Sequence, residues 1–506
     1  MRLFHFLFVF LFIGTQNWAQ IPHWLGGVDG NSAKIKAFPT SEQAKQDAVW
    51  EILDPASGKI RRIRLSLRKI GSHSIWSAHS TELDENRLYL YRLLVKGQDT
   101  TYLGSFRTFS QRPISFRFAL SSCSFRPGSP AYIPIVEFKP SLFLHLGDLH
   151  YENIETNRIE DHIKPYLDRF LLGKKEQALC LQVPMAYIWD DHDYCGNNSS
   201  GPSACGDAAR AAYLSAFPTY EPYRMGAGLA HAFQQGSVRF IVLDLRSERR
   251  ESNIMSEEQM QWFKAELLKS HQSHLVSVVL SSVSWYGNEQ DNWGGFPKQR
   301  QEILDFVNEQ GIEKIVWMCG DAHMNALDDG RNESYPLKKA PRIPFPVIQA
   351  GSLLSFGSHK GGTYSHGAFV NPLGAGQWVE CQAIDNGEGA LALAVEGKQM
   401  MAGFLEPKTM FQETFFWSIP QTKPVSTKFE VDSSKGVFQV KISNPDRQSG
   451  IIYRLRTGNG RILDAAATGS SDHLLLSTAN SSGIGPLFLE EENGDYKRVY
   501  GLKSAP

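Results

Sequence analysis

The sequence predicts a multi-domain α/β protein, and three changes of texture along its 506 residues predict it. Short alternating apolar runs broken by DG, SG and KG fill residues 21–112. From Pro113 to about Asn371, apolar runs of strand length alternate with stretches of helical period. After Gln377, and again over 426–506, the chain is strand-rich with Gly-rich turns. A chain this long buries a sizeable core and tends to divide. The expected layout is a leader over 1–20, a β-sandwich over 21–112, a layered α/β domain over 113–420 and a β-rich, sandwich-like domain over 426–506.

The leader has Arg2, an apolar run from Leu3 to Ile13 and a small, polar exit from Gly14 to Gln20. That is the pattern of a secretory signal cleaved near Ala19 or Gln20, with Trp18 an imperfection. Its apolar run is too short for a permanent span. No Cys follows to take a lipid and there is no twin-Arg pair, so export by the general route is expected, giving a secreted, periplasmic or cell-surface protein without a transmembrane anchor. In 21–112, the runs AKIKAF, AVWEIL, KIRRIRLSL, SIWSAH, RLYLYRLLV and TYLGSFRTF read as strands of an immunoglobulin- or fibronectin-like sandwich. They carry no ionisable constellation.

In the middle domain the strand candidates are SFRFALSS, SLFLHL, MAYIWD, VRFIVLD, LVSVVLSS, KIVWMC and PVIQA. Between them lie helix candidates at Asn157–Gly173, Ala208–Phe217, Ser256–Gln272 and Pro297–Gln310. Ser256 with Gln259 forms a capping-box pattern, and Ile303, Leu304 and Val307 share one helix face. WVECQAID, GALALAVEG and FFWSIP are expected to complete the sheets, and Pro420 to Val425 reads as a linker.

The 52 Lys and Arg nearly balance the 53 Asp and Glu, so no global field favours nucleic acid or an anionic membrane. Six cysteines are too few for a dense disulfide framework. Cys195 and Cys205 flank a Gly/Ser/Asn-rich loop and can bridge, whereas Cys180, Cys319 and Cys381 sit in apolar runs and read as buried thiols.

Four strand ends carry chemistry. The first ends at Ser121-Ser122-Cys123, with Cys123 either a core thiol or a thiolate ligand. The second ends at Gly147-Asp148, with Tyr151 three residues on. The third carries Trp189-Asp190-Asp191-His192-Asp193, and the fourth Cys319-Gly320-Asp321-Ala322-His323. Each alone also fits a helix cap or a satisfied core group. Together, acid and imidazole donors at the tips of separate strands are what a two-metal site needs: a shared carboxylate between cations roughly 3.5–4 Å apart, with open positions for substrate and water.

In order, SSCSF, LFLHLGDLHY, WDDHDYCGNN, VLDLRSER, DNWGGFPKQR and GDAH make residues 115–360 resemble the alkaline phosphatase D (PhoD-like) branch of the calcineurin-like metallophosphatases. The resemblance implies a central metallophosphatase-type layered α/β sandwich behind an N-terminal β-sandwich. It also implies that Asp148 bridges two metals and that Cys123 and Tyr151 bind iron(III). Asp191 would bind metal where calcineurin-like relatives place Asn, His192 would lie beside the substrate, and Asp321 with His323 would complete the second site. Family members use Fe(III) with Ca(II), and other relatives use Mn, Zn or Mg. Donor chemistry agrees: phenolate and thiolate suit a ferric ion, carboxylates suit calcium. Arg246, after VRFIVLD, reads either as a bidentate clamp on a phosphoryl group or as a surface salt bridge. Asn197 and Asn198 either touch phosphate or form a turn, and Asp291 with Trp293 is expected to shape the rim. His150 stands where the family has an aliphatic residue, as an extra acid, a ligand or a rim group, and Cys195 interrupts a loop that is otherwise Gly- or Pro-rich.

The expected function is an exported metal-dependent phosphoesterase acting on mono- or diesters, with metal-supplied hydroxide attacking in line and His192 or His323 protonating the leaving group. The substrate would be a small phosphate ester or a phospholipid headgroup. The alternatives are a phospholipase D-type diesterase on the same scaffold and a catalytically degenerate surface binding protein.

Overall fold

The computed structural model describes residues 21–506 except 97–103, 227, 288, 331–344, 363, 386, 388–389, 405, 419–427, 433–436, 444–451, 458–461, 468–472, 480–486, 493–496 and 503–506. The expected leader over 1–20 and the expected linker from 420 to 425 lie outside the described residues.

Among the described residues eight strands come first: β1 (His23–Gly26), β2 (Ala33–Ala37), β3 (Ala48–Leu53), β4 (Ile60–Arg64), β5 (Ser66–Ile70), β6 (His73–Ser80), β7 (Leu88–Val95) and β8 (Gly104–Arg107). They form the sheet β4-β3-β7-β8 and the row β1-β2-β6-β5. The run Lys59–Leu67, expected as one strand, is two: β4 pairs with β3 and β5 with β6, with buried Leu65 between them. The row does not end at β1, because Gly26 pairs in parallel with Met185 and joins it to the central sheet. Glycine is required there: a Cβ on residue 26 would lie 2.4 Å from the Met185 carbonyl oxygen.

Beside this join His23 is buried, with Nδ1 2.9 Å from the Ile21 carbonyl oxygen and Nε2 3.0 Å from the Tyr91 hydroxyl. Burial lowers the pKa of His23, and likewise that of His231, to about 4. In the unfolded chain both titrate near ~6.5. The folded state therefore binds fewer protons between these values, so this stability is complete above about pH 6.5 and is lost as pH falls toward about 4. The unfolding free energy measured in urea should drop by up to about 3 kcal/mol per histidine over that range. His23→Gln should flatten the slope, and an unchanged slope would refute the assignment.

The central sheet is built on parallel strands β9 (Phe116–Ser124), β10 (Leu142–Leu146) and β11 (Met185–Ile188). Helices α1 (Tyr132–Phe138), α2 (Ile159–Leu172) and α3 (Lys174–Gln182) fill the crossovers, and α4 (Asp191–Tyr194) and α5 (Gly206–Ala216) follow β11. A second sheet contains β12 (His231–Gln235), β13 (Val238–Val242), β14 (Val276–Ser281), β15 (Ile315–Cys319), β16 (Met324–Asp328) and β17 (Val347–Gln349). Its outer helices are α6 (Glu257–Gln272) and α7 (Pro297–Glu309). Strand β18 (Ser352–Leu354) pairs with β9, and β19 (Ala368–Val370) edges the second sheet. β20 (Ala375–Asp385), β21 (Ala390–Met401) and β22 (Lys408–Ser418) then complete the first sheet, β20 running antiparallel to β9. Among the described residues between Lys428 and Leu502, seven strands make a three-stranded and a four-stranded sheet.

Strand alternation explains the layering. Val278, Leu280, Val316 and Met318 turn into the core shared with Phe118 and Leu120 of β9. Val279 and Trp317 turn the other way, onto Phe263 and Leu267 of α6 and Ile303 and Leu304 of α7. Phe118 meets Phe240 edge to face across the two sheets, centroids 5.2 Å apart. The capping expectation at α6 holds by half. Ser256 Oγ accepts the Gln259 N–H at 3.2 Å. The Gln259 side chain instead reaches the backbone of Asp244, accepting its N–H and donating to its carbonyl, both at 2.9 Å. That contact pins the segment leaving β13.

Candidate metal centre

The C-terminal ends of β9, β10, β11, β13, β14 and β15 converge, and the turns beyond them hold the candidate residues. The backbone there is unusual. Cys123, Asp148, Asp321 and His323 have φ of 55°, 58°, 65° and 48°, a region costly for residues with a Cβ and found where surroundings over-determine it. Gly147 precedes Asp148 with φ 97°, and a Cβ on it would stand 2.5 Å from the Asp190 Cβ. Asp193 holds the turn in place, its carboxylate accepting the N–H groups of Asp148, Leu149 and His150 at 2.7, 2.8 and 3.2 Å. The sequence reading gave Asp193 no role; its place as the last acid of WDDHD was the available signal.

Two donor groups result, and Asp148 belongs to both. Cys123, Asp148 and His323 bring one ligand atom each within 4.8 Å of one another, and so do Asp148, Asp191 and His192. Tyr151 joins the first group, its hydroxyl 2.9 Å from Asp148 Oδ2 and 3.0 Å from His323 Nε2. His323 Nδ1 donates to the Phe356 carbonyl oxygen at 2.6 Å, which leaves Nε2 as the donor atom toward the centre. His192 Nδ1 is likewise taken by Asn153 Oδ1 at 2.6 Å. Asn153 also accepts the Asn197 N–H at 3.0 Å, and Asp191 Oδ2 accepts the Asn198 N–H at 2.5 Å. Asn197 and Asn198 thus approach the centre through their backbones, and both side chains are exposed.

The electrostatics favour a cation. Burial, then the charges of Asp191, Asp190, Asp193 and Asp321, raise the Asp148 carboxyl well above its usual range. Its Oδ1 is buried without a hydrogen-bond partner. Burial, then Asp148 and Asp321, likewise raise the Cys123 thiol. Burial pushes Asp321 up to about 6 even with Lys360 beside it, and pulls the His323 imidazole down to about 4, so that it stands neutral. An orphaned carboxylate oxygen among buried acids, with thiol, phenol and neutral imidazole around it, fits a metal pair.

Several expectations need correction. Arg246 is neither a surface salt bridge nor an exposed clamp. It is 0% exposed, its Nε is bonded to Asp190 Oδ1, Nη1 lies 2.8 Å from Asp291 Oδ1 and Nη2 lies 3.7 Å from Asp191 Oδ1. Its guanidinium is the buried counter-charge to three acids, with Nε and Nη1 hydrogen-bonded and Nη2 without a hydrogen-bond partner. His323 groups with Cys123 and Asp148, its Nε2 3.0 Å from the Tyr151 hydroxyl, and Asp321 is in neither donor group. His150 is not at the rim: it is 3% exposed, packed on the Tyr166 ring at 5.1 Å, and in neither donor group. Trp293 is buried against Trp285 and Trp317, leaving Asp291 alone near the surface. Cys195 and Cys205 are joined, and Cys180, Cys319 and Cys381 are buried thiols. Sequence reasoning placed Asp190 in its motif without a role of its own, and the structure has it accept Ser282 Oγ at 3.0 Å; it missed Lys360, bonded to Asp321 and Asp291 from a segment with no motif.

Residues 118–348 match the PhoD-like phosphatase family. Alkaline phosphatase D of Bacillus subtilis (strain 168) is 24% identical over 337 residues, 54% of this chain and 58% of that protein. The chain thus spans about 58% of the length of this curated relative. A solved structure of PhoD superposes with a TM-score of 0.60 at 17% identity, covering 81% of this chain and 94% of that one. Purple acid phosphatase PPD1 from yellow lupin seeds gives 0.58 at 14% identity over 79% and 74%. At such identity these two likenesses show a shared mixed α/β fold. Among the described residues no helix is long and apolar enough to cross a membrane. Through residues 118–348 the chain thus carries a domain similar to the PhoD-like phosphatases, on a mixed α/β fold shared with the solved PhoD.

Proposed function

We propose that the chain is an exported, metal-dependent hydrolase of phosphoric esters. The observation that carries this is the sharing of Asp148 between two donor groups at the sheet's C-terminal edge. Cys123, Tyr151, His323 and Asp148 would hold one cation, for which Fe(III) suits the thiolate and phenolate. Asp148 and Asp191, with Asp321 nearby, would hold the other, Ca(II) or a Mn, Zn or Mg ion. Such cations, when bound, supply Lewis acidity to phosphoryl oxygens and acidify the attacking water.

The chain's own residues set the geometry. Asp193 fixes the turn that aims Asp148, and the Phe356 carbonyl fixes the imidazole of His323. Burial opposes charge on Asp191, but Arg246 and His192 outweigh it and keep the carboxyl below its usual range, ready as a ligand. His192 remains our candidate for protonating the leaving group, its Nδ1 held by Asn153 and its ring 4.0 Å from that of Tyr151. The division into 21–112, 113–420 and 426–506 and an exported destination belong to the same proposal. So does a small phosphate ester, rather than nucleic acid, as partner.

A diesterase of phospholipase D type is the second reading, favoured by an aromatic rim. Phe125 and Phe356 are 48% and 62% exposed, and Phe125 stands 5.5 Å from the Tyr151 ring. Hydrolysis of p-nitrophenyl phosphate and its bis ester by metal-loaded protein tests both readings. The expected result is release of p-nitrophenol from at least one ester, abolished by chelator. Protein that carries metal and cleaves neither would overturn the proposal.

A further inference from the structure

The charge expected of Arg246 at the phosphoryl group is missing from the surface of the centre, and a different cation stands there. Lys360 Nζ lies 2.5 Å from Asp321 Oδ2 and 2.9 Å from Asp291 Oδ2, and its side chain is 21% exposed. It lines a cavity of about 540 Å³ together with Asn198, Ser200, Arg249 and Asp291. Arg246 does not line this cavity, and Arg249 has committed Nε and Nη1 to the carbonyl oxygens of Leu245 and Gln290. Among the described residues, Lys360 is thus the cation that touches a candidate ligand carboxylate and also opens on the cavity.

Its position is built. Ser358 Oγ donates to the Ala322 carbonyl oxygen at 2.9 Å, His323 holds the Phe356 carbonyl, and Tyr364 OH donates to the Lys360 carbonyl at 3.1 Å. Gly361 follows with φ +78°, where a Cβ would lie 2.4 Å from the Tyr286 Cβ. The segment is therefore tied to the Asp321–His323 turn on one side of Lys360 and packed on Tyr286 on the other. An ammonium has three N–H donors, and two suffice for Asp291 and Asp321.

We propose that Lys360 is a catalytic residue that contacts the phosphoryl group from the side of Asp321, with its remaining N–H directed to a phosphate oxygen. This deepens the phosphoesterase reading and rests on it. When Asp321 shares its charge with a cation, it holds the ammonium less strongly, so the field of Lys360 falls on the phosphate. A charge-assisted hydrogen bond that strengthens as charge builds on the phosphoryl oxygens lowers the barrier as well as binding the ground state.

The test uses metal-loaded wild type, Lys360→Met and Lys360→Gln, with inorganic phosphate as inhibitor, p-nitrophenyl phosphate as substrate and elemental analysis of each protein. Both variants should weaken phosphate inhibition and lower kcat/KM by at least about tenfold, with metal content equal to wild type. Lys360→Arg should recover part of the loss. Unchanged phosphate inhibition in an otherwise active enzyme would overturn the role of Lys360 and leave the phosphoesterase reading standing. Loss of activity in proportion to lost metal would also overturn it, making Lys360 a support for Asp321. A wild type that neither hydrolyses the ester nor binds phosphate would overturn both. If Lys360→Met fails to fold, Lys360→Gln, which keeps donors toward both acids, decides the matter.

Discussion

Asp148→Ala should abolish ester hydrolysis, with kcat falling by at least about a thousandfold. Its carboxylate is the one donor common to both groups, so its loss removes a ligand from each cation at once. The stability effect should run the other way. Burial and four neighbouring acids hold the Asp148 carboxyl well above its usual range, so its charge is a burden to the metal-free fold. In chelator-treated protein, Asp148→Asn should therefore melt no lower than wild type, whereas with metal present wild type alone should gain stability. A variant that keeps activity, or one that unfolds the metal-free protein, would refute this account of Asp148.

Arg246→Met should destabilise the fold by about 3–5 kcal/mol in denaturant titrations. The wild-type guanidinium is fully buried and faces Asp190, Asp191 and Asp291. Methionine keeps much of the volume and leaves Asp190 and Asp191, both buried, without their counter-charge. Lysine should rescue little, since a single ammonium cannot meet acids lying along three edges of a planar fork. A loss below about 1 kcal/mol would mean that the network is dispensable.

Much of this was legible in the chain, because strands buried on both faces read as unbroken apolar runs. LFLHL, MAYI and IVWMC announce β10, β11 and β15, and an Asp two residues past each run announces the site edge. Depth was not legible. DLR says that an arginine follows a strand, but only the fold shows that it points under the turn of Asp190 and Asp191. Trp293 and His150 misled for the same reason: residue type carries no record of which side of a turn is wet. Register hid the rest. His323 lies two residues past Asp321, and the left-handed backbone at both sends the imidazole toward Cys123 and Tyr151. Lys360 was invisible because it acts from a segment without periodicity or motif, placed by contacts with residues some 35 positions earlier, such as Ser358 with Ala322. KIRRIRLSL carried alternation throughout and so concealed the change of sheet at Leu65.

The most direct test of the metal centre is the metal content of purified protein, read beside its visible spectrum. The account predicts about two equivalents per wild-type chain, a tyrosinate–iron(III) band that disappears in Tyr151→Phe, and a marked loss of metal in Asp148→Ala. Wild-type protein that retains no metal after supplementation, or whose metal content is the same in Asp148→Ala, would contradict it.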